Sequence, residues 1–412
     1  MAEATAEDGS PAHPVPFISR VRIRNYKSIA ECDVRLGPLT VLVGPNAAGK
    51  SNFLDALAFT ARALETTPAE ALDERGGLRE VLRRVPERAH SFSISIDAAI
   101  PWWPSAPTAD AHYQFEIGPS AENRLAFEVI SEECVISGQN GAIARFSAGR
   151  GHSNFAPQGR SFDSAVFDSD RLLLPTAGTQ GDFAQLYTGL TRLRFYNFRT
   201  EVLRRPQRPS ARAVLRSDGE GFGDVLGTLA AADNPWVKKR IDAYLSAILQ
   251  NECVIEPLVV GEFTTVALKT KIEGHEFEFG SLGMSDGTIR GAAVLAALFQ
   301  PESLDGRLPL LGIEEPESAL HPAAAGALFD ALTEAAEHVQ IIAASQSADL
   351  LDREDFDVSA IRPVAIQDGL TIIGEVDRAS REIAKEKLMT LGELMRGNQL
   401  VPSPLEGTGS EP

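Results

Sequence analysis

The chain has 412 residues, of which 43% are hydrophobic and 23% are charged, so it can bury a sizeable core in one large domain or in two to three small ones. It contains no uninterrupted apolar run of about 18 residues, which argues against a membrane-spanning helix. With 39 Lys and Arg against 57 Asp and Glu, the net charge is −18. Such a charge excludes nucleic-acid binding through the overall field, so any DNA contact must use a local basic patch or a partner protein.

The cysteines, histidines and termini exclude several other classes of protein. Cys32, Cys134 and Cys253 are far apart and odd in number, which predicts neither a disulfide framework nor a metal cluster and favours a cytoplasmic protein. The seven histidines show no zinc-ligand spacing. The first residues are acidic and lack the apolar stretch of a secretion signal. We predict disordered tails in residues 1–17 and, after a C-terminal helix, within residues 376–412.

The first ordered elements form a strand, a glycine loop and a helix. From Ile18 to Arg24 apolar and basic residues alternate, as in a half-buried strand. The run Leu39–Val43 is almost unbroken in apolar character, which is typical of a central parallel strand. Gly44 follows it, and from Ser51 to Leu64 apolar residues recur at helical spacing.

The glycine loop reads GPNAAGKS and fits the pattern G-x-x-x-x-G-K-[ST]. Glycines let backbone N–H groups approach phosphate oxygens, and the helix start adds about half a positive charge. Lys50 would neutralise the β and γ phosphates of ATP, and the Ser51 hydroxyl would bind Mg²⁺. The alternative is a glycine-rich turn with a surface lysine. The predicted ATP-binding residues here are Gly44, Pro45, Asn46, Ala47, Ala48, Gly49, Lys50, Ser51 and Asn52.

The rest of the chain indicates an α/β core with two additions. Short alternating segments such as SFSISID and HYQFEI predict an antiparallel β insertion over about residues 85–193. A helical pattern predicts a helical lobe over about residues 200–250. Strands and helices then alternate over residues 251–375 and complete the head, which we place at residues 18–375.

The segment LLGIEEPESALHP, residues 310–322, brings a buried strand to two adjacent carboxylates. Successive strand side chains point in opposite directions. We therefore assign Glu314 to the Mg²⁺ side and Glu315 to positioning or deprotonating the attacking water. The alternative is a solvated acidic strand end.

Two further segments could contact a phosphate. In GSLGMSDGTIR, Ser285 and Gly287 open a helix, and a helix start is an anion site, although Ser285 could equally be a plain N-cap. In IIAASQSADLL, a buried strand ends at Ser345, and Gln346 could reach the γ-phosphate or belong to a strand-to-turn cap.

In this order, the four segments resemble those of ABC-type ATPase heads of the SMC and RecF group, and more closely those of bacterial RecF-type AAA ATPases with OLD-like relatives. The resemblance covers most of the chain from Ile18 to Leu400 and is weakest in the insertion. It implies a P-loop NTPase with an ABC-ATPase-like head, which binds ATP and Mg²⁺ and dimerises around ATP. Ser285 and Gly287 of one copy would then contact the γ-phosphate held by the other, and residues 318–321 would cross the dimer interface.

The sequence departs from that family at several points. Glu314 stands where many relatives have Asp, and Gln346 stands where a histidine is expected. Glutamine can donate a hydrogen bond but cannot take a proton, so we expect slow turnover. The glutamine of the family's Q-loop could be Gln180 or Gln185. The stretch after Val376 is too short for the nuclease domain that OLD-type enzymes append, so we expect no intrinsic nuclease activity.

We therefore predict an ATP-hydrolysing head that acts on DNA in recombination or double-strand-break repair. The alternative is a nucleotide-gated regulatory subunit that controls a nuclease or toxin partner in a phage-defence module. A transporter ATPase is disfavoured. The candidate DNA-binding groups, each of which could instead be a solvated face, are Arg20, Arg22, Arg24 and Lys27, and Arg199, Arg204, Arg205, Arg208, Arg212 and Arg216.

Overall fold

A computed structural model of the chain describes most of its length. The predicted tails fall largely outside the described residues, and so do Gln180 and Arg212. The described residues are 15–84, 89–101, 108–120, 123, 126–138, 141–150, 152–157, 168–179, 181–210, 213–231, 236–353 and 357–403.

The N-terminal part holds the predicted strand, loop and helix. The first two strands form an antiparallel pair, and the third leads through the glycine loop into a long helix that two short helices follow. These elements are β1 (Ile18–Tyr26), β2 (Ile29–Arg35), β3 (Leu39–Val43), α1 (Lys50–Glu65), α2 (Pro68–Asp73) and α3 (Leu78–Val81).

The predicted antiparallel β insertion is confirmed. Its strands pair with their neighbours in chain order, and the first of them also pairs with β1. The elements are β4 (Phe92–Pro101), β5 (Thr108–Pro119), β6 (Phe127–Gly138), β7 (Gly141–Gly149), β8 (His152–Pro157), α4 (Leu174–Ala177) and α5 (Gly181–Thr191).

The helical lobe is also present and precedes a small second sheet. That sheet has the order β10-β11-β12 and packs against the lobe helices. The elements in this part are β9 (Arg194–Tyr196), α6 (Thr200–Arg204), α7 (Phe222–Ala231), α8 (Trp236–Leu249), β10 (Cys253–Val260), β11 (Phe263–Ile272) and β12 (His275–Gly280).

The last part returns to the main sheet and ends in short helices. Instead of the predicted C-terminal helix, two helices separated by a turn follow the last strand. The elements are α9 (Asp286–Phe299), α10 (Pro301–Leu304), β13 (Leu310–Glu314), α11 (Ala325–Ala335), β14 (Gln340–Ser345), β15 (Ile361–Gln367), β16 (Leu370–Ile373), α12 (Arg378–Lys385) and α13 (Leu391–Arg396).

One large sheet joins the insertion to the core, with the order β8-β7-β6-β5-β4-β1-β2-β16-β15-β3-β14-β13-β9. The strands β15, β3, β14, β13 and β9 pair in parallel, and β14 lies between β3 and β13. Alternate residues of β3 enter different cores, Leu42 on one face and Val41 and Val43 on the other. Burial on both faces explains the unbroken apolar run and confirms the α/β fold class. In register, Ser345 lies opposite Val43, so the segments after these strands meet at one edge of the sheet.

Candidate active site

The glycine loop between β3 and α1 is held by its tertiary contacts. A Cβ atom on Gly44 would lie 2.1 Å from the carbonyl oxygen of Val364, and one on Gly49 would lie 2.4 Å from the Thr371 Oγ1. Gly49 also has a φ of 110°, a conformation that side chains other than glycine rarely adopt. Both glycines are therefore required by the close approach of β15 and β16, besides any approach of a phosphate.

Lys50 begins α1 and folds back over the loop. Its side chain is 7% exposed, and its Nζ donates hydrogen bonds to the carbonyl oxygens of Gly44, at 2.7 Å, and Pro45, at 2.9 Å. Burial lowers the pKa of this ammonium, whereas the negative charges of the glutamates at the end of β13 oppose that shift. The loop therefore keeps a buried cation at the start of the helix.

Glu314 ends β13 and meets the other predicted metal ligand. Its Oε2 accepts a hydrogen bond from the Ser51 Oγ at 2.8 Å and another from the Asn197 Nδ2 at 3.3 Å. Burial raises the pKa of Glu314, and the hydrogen bond from Ser51 opposes the rise. The hydroxyl and carboxylate predicted to share a metal ion are thus in contact, although 263 residues separate them in the chain.

Glu315 lies past the end of the strand, and the argument from strand alternation was wrong for it. The residue has a φ of 45°, and its N–H donates to the carbonyl oxygen of Ala344 at 2.8 Å. The backbone turns at this left-handed residue, so its side chain does not follow the alternation of β13. Glu314 and Glu315 therefore line the same cavity.

That cavity has a volume of 420 Å³, which is within the range of about 300–1,000 Å³ usual for small-molecule sites. The glycine loop forms one wall, and the ends of β13 and β14 form the other. Gln346 is among the residues that line it. The lining residues are Asn46, Ala47, Ala48, Gly49, Lys50, Ser51, Asn52, Glu314, Glu315, Ala344 and Gln346.

Ser285 and Gly287 do not line this cavity. The Ser285 Oγ caps α9 by accepting a hydrogen bond from the Thr288 N–H at 3.1 Å. A Cβ atom on Gly287 would lie 2.2 Å from the carbonyl oxygen of Ala319. Within one chain Ser285 thus acts as the N-cap of α9. Gly287 lets residues 318–321 approach the start of this helix closely.

Two side chains at the site were missed in the sequence analysis. Asn197 follows β9, which pairs in parallel with β13, and its amide reaches Glu314. Glu317 accepts hydrogen bonds from Ser345 and Gln346. The only signals in the sequence were an asparagine after a short apolar segment and the third glutamate of EEPE. Gln185 lies in α5 and does not line the cavity.

The first basic group, which lies on β1 and at Lys27 just after it, is neutralised by neighbouring acids. Each of its four cations forms an ion pair, so this group does not present a free positive patch for DNA. The pairs are Arg20 with Asp33, Arg22 with Asp97, Arg24 with Glu31 and Lys27 with Asp55.

The second basic group is neutralised only in part. Arg204, Arg208 and Arg216 pair with acidic side chains. Arg199 lines a smaller cavity of 170 Å³ that Asn197 and Glu314 also line. Part of this group therefore lies next to the candidate active site.

Comparisons with known proteins give two family models and two partial relatives. A family model described as "AAA domain, putative AbiEii toxin, Type IV TA system" matches residues 190–352, and one described as "AAA ATPase domain" matches residues 17–82. The chain is 39% identical over 62 residues to the DNA replication and repair protein RecF of Magnetococcus marinus, which is 14% of this chain and 16% of that protein. It is 42% identical over 41 residues to the OLD nuclease of Thermus scotoductus, which is 10% of this chain and 8% of that protein.

Solved structures of SMC heads share the fold. One is the SmcHead bound to the C-winged helix domain of ScpA, with a TM-score of 0.52, 13% identity, and coverage of 91% of this chain and 100% of that one. Another is the Smc head domain with an extended coiled coil bound to the C-terminal domain of ScpA derived from Pyrococcus furiosus, with a TM-score of 0.53, 11% identity, and coverage of 90% and 99%.

The sequence matches and the fold agree with the resemblance that the motifs indicate. The chain resembles RecF/SMC-like ATPases of the ABC type: two AAA family models match separate parts of it, a short stretch matches RecF, and its fold is that of SMC heads. Among the described residues, none of the helices is both long enough and apolar enough to cross a bilayer.

Proposed function

We propose that this chain binds ATP with Mg²⁺ in the 420 Å³ cavity, hydrolyses it slowly as a homodimer, and acts on DNA in recombination or double-strand-break repair. The observation that carries the proposal is the 2.8 Å contact between the Ser51 Oγ and the Glu314 Oε2. It joins the hydroxyl of a phosphate loop to the carboxylate of a strand end, which is the pairing that a Mg²⁺–nucleotide complex requires.

The residues fit a magnesium ion that arrives with its nucleotide. Mg²⁺ prefers oxygen ligands, and Ser51 and Glu314 offer two of them. No group of three or more His, Cys, Asp or Glu able to hold a metal ion occurs in the described part of the chain. Phosphate and water oxygens would therefore complete the coordination, and the bound metal would neutralise phosphate charge.

The side chains around the cavity then have distinct roles. Lys50 leaves its two carbonyl partners to bind the β and γ phosphates. Glu315 positions the attacking water or accepts its proton, and Gln346 donates a hydrogen bond to the γ-phosphate without taking a proton. Asn197 holds the Glu314 carboxylate in its orientation.

The dimer is supported by what the cavity lacks. A helix start can bind an anion, yet Ser285 and Gly287 at the start of α9 do not line the cavity of their own chain. When two copies face each other in an antiparallel arrangement, each supplies its helix start to the cavity of the other.

The DNA role is supported by the partial match to RecF. Its candidate surface is the part of the second basic group that the ion pairs leave over, namely Arg199 and Arg205 among the described residues. A regulatory role over a nuclease or toxin partner is not favoured.

The deciding experiment measures the size of Glu315→Gln by light scattering, with and without ATP and Mg²⁺. We expect ATP binding without turnover and therefore a stable dimer that appears only with nucleotide. Losing a transition-state contact should reduce turnover by about 100- to 1,000-fold, by analogy with a lost oxyanion donor. Adding duplex DNA at increasing salt tests the DNA role. A variant that stays monomeric and turns over ATP at the wild-type rate would refute the proposal.

A further inference from the structure

The small sheet β10-β11-β12 ends at a strand that is covered on one side. β12 pairs with β11 in a continuous register from His275 to Gly280, without a bulge. In the part of the chain that the structure describes, no strand pairs with the other side of β12. All residues of β12 are exposed except Phe279, which is half-buried. The strand therefore presents a row of backbone groups that a further strand could bind.

The turn before β12 determines which of these backbone groups are available. The two-residue turn Glu273–Gly274 has φ values of 51° and 82°, the conformation of a type I′ hairpin. The pair of residues that flanks such a turn exchanges hydrogen bonds, and bonded and non-bonded pairs alternate from there along the strands. The backbone of Phe277 and Phe279 therefore bonds to β11. The N–H and C=O groups of Glu276 and Glu278 point away from it.

The side chains of β12 form an apolar face and an acidic face. Phe277 is 44% exposed, and its ring stacks on that of Phe279 with 6.3 Å between the centroids. Glu276 and Glu278 lie on the opposite face, and neither forms an ion pair among the described residues. Lys269, which lies opposite Glu278, pairs with a glutamate of β10 instead. A strand added to this edge would thus meet aromatic rings on one face and carboxylates on the other.

The charges decide what can occupy this edge. In an antiparallel second copy of β12, the residues with available backbone groups are again glutamates, so Glu276 and Glu278 would face like charges, which is unfavourable. Residues 1–14 and 404–412 of the chain itself contain acidic residues and no Lys or Arg. A segment with basic side chains beside the glutamates and apolar side chains over the phenylalanines matches both faces. The net charge of −18 also attracts such a segment.

We propose that β12 is a docking edge for a partner protein, which adds an extended segment of alternating basic and apolar residues as a fourth strand of the small sheet. Its backbone bonds to Glu276 and Glu278, and its cations pair with these two carboxylates. Its apolar side chains cover Phe277 and Phe279. In this mode of recognition the main chain supplies affinity and alternate side chains supply specificity. The inference goes beyond the proposed function and does not depend on nucleotide binding.

The probe that tests this docking edge is a fluorescein-labelled peptide of eight residues in which lysine and valine alternate. One control peptide has four lysines followed by four valines, and the other alternates glutamate and valine. Fluorescence anisotropy measures the binding of each peptide to the full chain without nucleotide. We expect the alternating lysine peptide to bind at least about tenfold more tightly than either control peptide.

Two substitutions at one position separate the backbone from the charge. Glu278→Gln removes the carboxylate and keeps the outward N–H group, whereas Glu278→Pro removes both, and an edge strand tolerates proline where the N–H faces away from the sheet. We expect the affinity for the alternating lysine peptide to fall by about threefold in Glu278→Gln and by about tenfold more in Glu278→Pro. The control is Glu382→Gln, an exposed glutamate that pairs with Arg378 on α12, and it should bind like the wild type. Thermal unfolding checks that each variant is folded.

Hydrogen exchange locates the peptide on the wild-type chain. The amides of Glu276 and Glu278 should exchange fast in the unbound chain and about tenfold or more slowly when the alternating lysine peptide is bound. The amides of Phe277 and Phe279 should exchange slowly in both states, because β11 protects them.

Several results would overturn the inference. If the alternating lysine peptide does not bind, or the two lysine peptides bind equally, no added strand is recognised. Wild-type affinity in Glu278→Pro, or unchanged exchange at Glu276 and Glu278, would place the peptide elsewhere. Slow exchange of these two amides in the unbound chain would show that the edge is already covered, and a size measurement would then distinguish a second copy from another part of the same chain.

Discussion

The glycine-loop side and the α9 side of this head differ in how complete they are. On the first, Lys50, Ser51 and two glutamates from β13 and its end line one cavity. On the second, Ser285 caps its own helix and Gly287 packs against Ala319. Parallel strands that end at one edge assemble the first side within a single chain. The second side is a helix start that lines no part of that cavity.

The largest expected effect follows from a substitution on the glycine-loop side. Lys50→Ala should weaken ATP binding by about 100-fold or more, because it removes a buried cation facing the phosphates. Titration with a fluorescent ATP analogue measures the loss. The control is Lys239→Ala, an exposed position on α8. Unchanged affinity in Lys50→Ala would place the nucleotide elsewhere.

A substitution on the α9 side should leave ATP binding unchanged and reduce ATP turnover. Gly287→Ala puts a Cβ atom 2.2 Å from the Ala319 carbonyl oxygen, so the backbone around Ala319 must move. We expect turnover to fall by about tenfold or more, with ATP affinity of the monomer nearly unchanged.

The chain offers a matched control on the same helix. At Gly291 the nearest atom to an added Cβ, the Leu320 Cδ2, lies at 3.4 Å, an ordinary contact. Gly291→Ala should therefore keep wild-type turnover. Equal rates in the two alanine variants would mean that turnover does not depend on the present position of the backbone around Ala319.

Ser285→Ala tests whether this serine is more than a cap. Loss of the hydrogen bond to Thr288 should lower the free energy of unfolding by about 1 kcal/mol, as for other N-cap substitutions. If the hydroxyl also contacts a γ-phosphate across the dimer, kcat should fall by about tenfold. Denaturant unfolding and steady-state turnover measure the two effects separately. A stability loss with unchanged kcat would leave Ser285 as a plain cap.

The smallest effect on ATP turnover is expected in the β insertion, which belongs to neither side. Glu132 in the insertion accepts hydrogen bonds from Tyr113, at 2.9 Å, and from the backbone of Leu173 and Leu174, and burial raises its pKa from 4.5 to about 7. Because the folded state binds this proton more tightly, the contribution of Glu132 to stability decreases as pH rises from 4.5 through 7.

Denaturant unfolding at pH 6 and pH 8 checks this prediction. From pH 6 to pH 8, the free energy of unfolding of the wild type should fall by about 1 kcal/mol more than that of Glu132→Gln, because glutamine does not titrate. ATP turnover at a fixed pH should differ little between the two proteins. An identical pH dependence of stability would show that Glu132 keeps its charge throughout.

Residues close together in the sequence made much of the site predictable. The glycine loop, the strand before it and the helix after it form one local unit, so Lys50 and Ser51 could be placed from their neighbours alone. The carboxylate pair of β13 and Gln346 after β14 were predicted from buried strands that end in polar residues. The roles assigned to these side chains remain predictions, as do the domain boundaries.

Other features depend on which strands become neighbours. Asn197 reaches Glu314 only because β9 pairs with β13, and the cations of the first basic group are neutralised by acids on β2, on β4 and in α1. Glu315 faces the cavity because its backbone is left-handed, which strand periodicity does not reveal. Local pattern thus determined which chemical groups are present and which elements carry them. Only the tertiary structure decided which groups meet, because pairing between distant strands and close backbone contacts are set by packing over the whole chain.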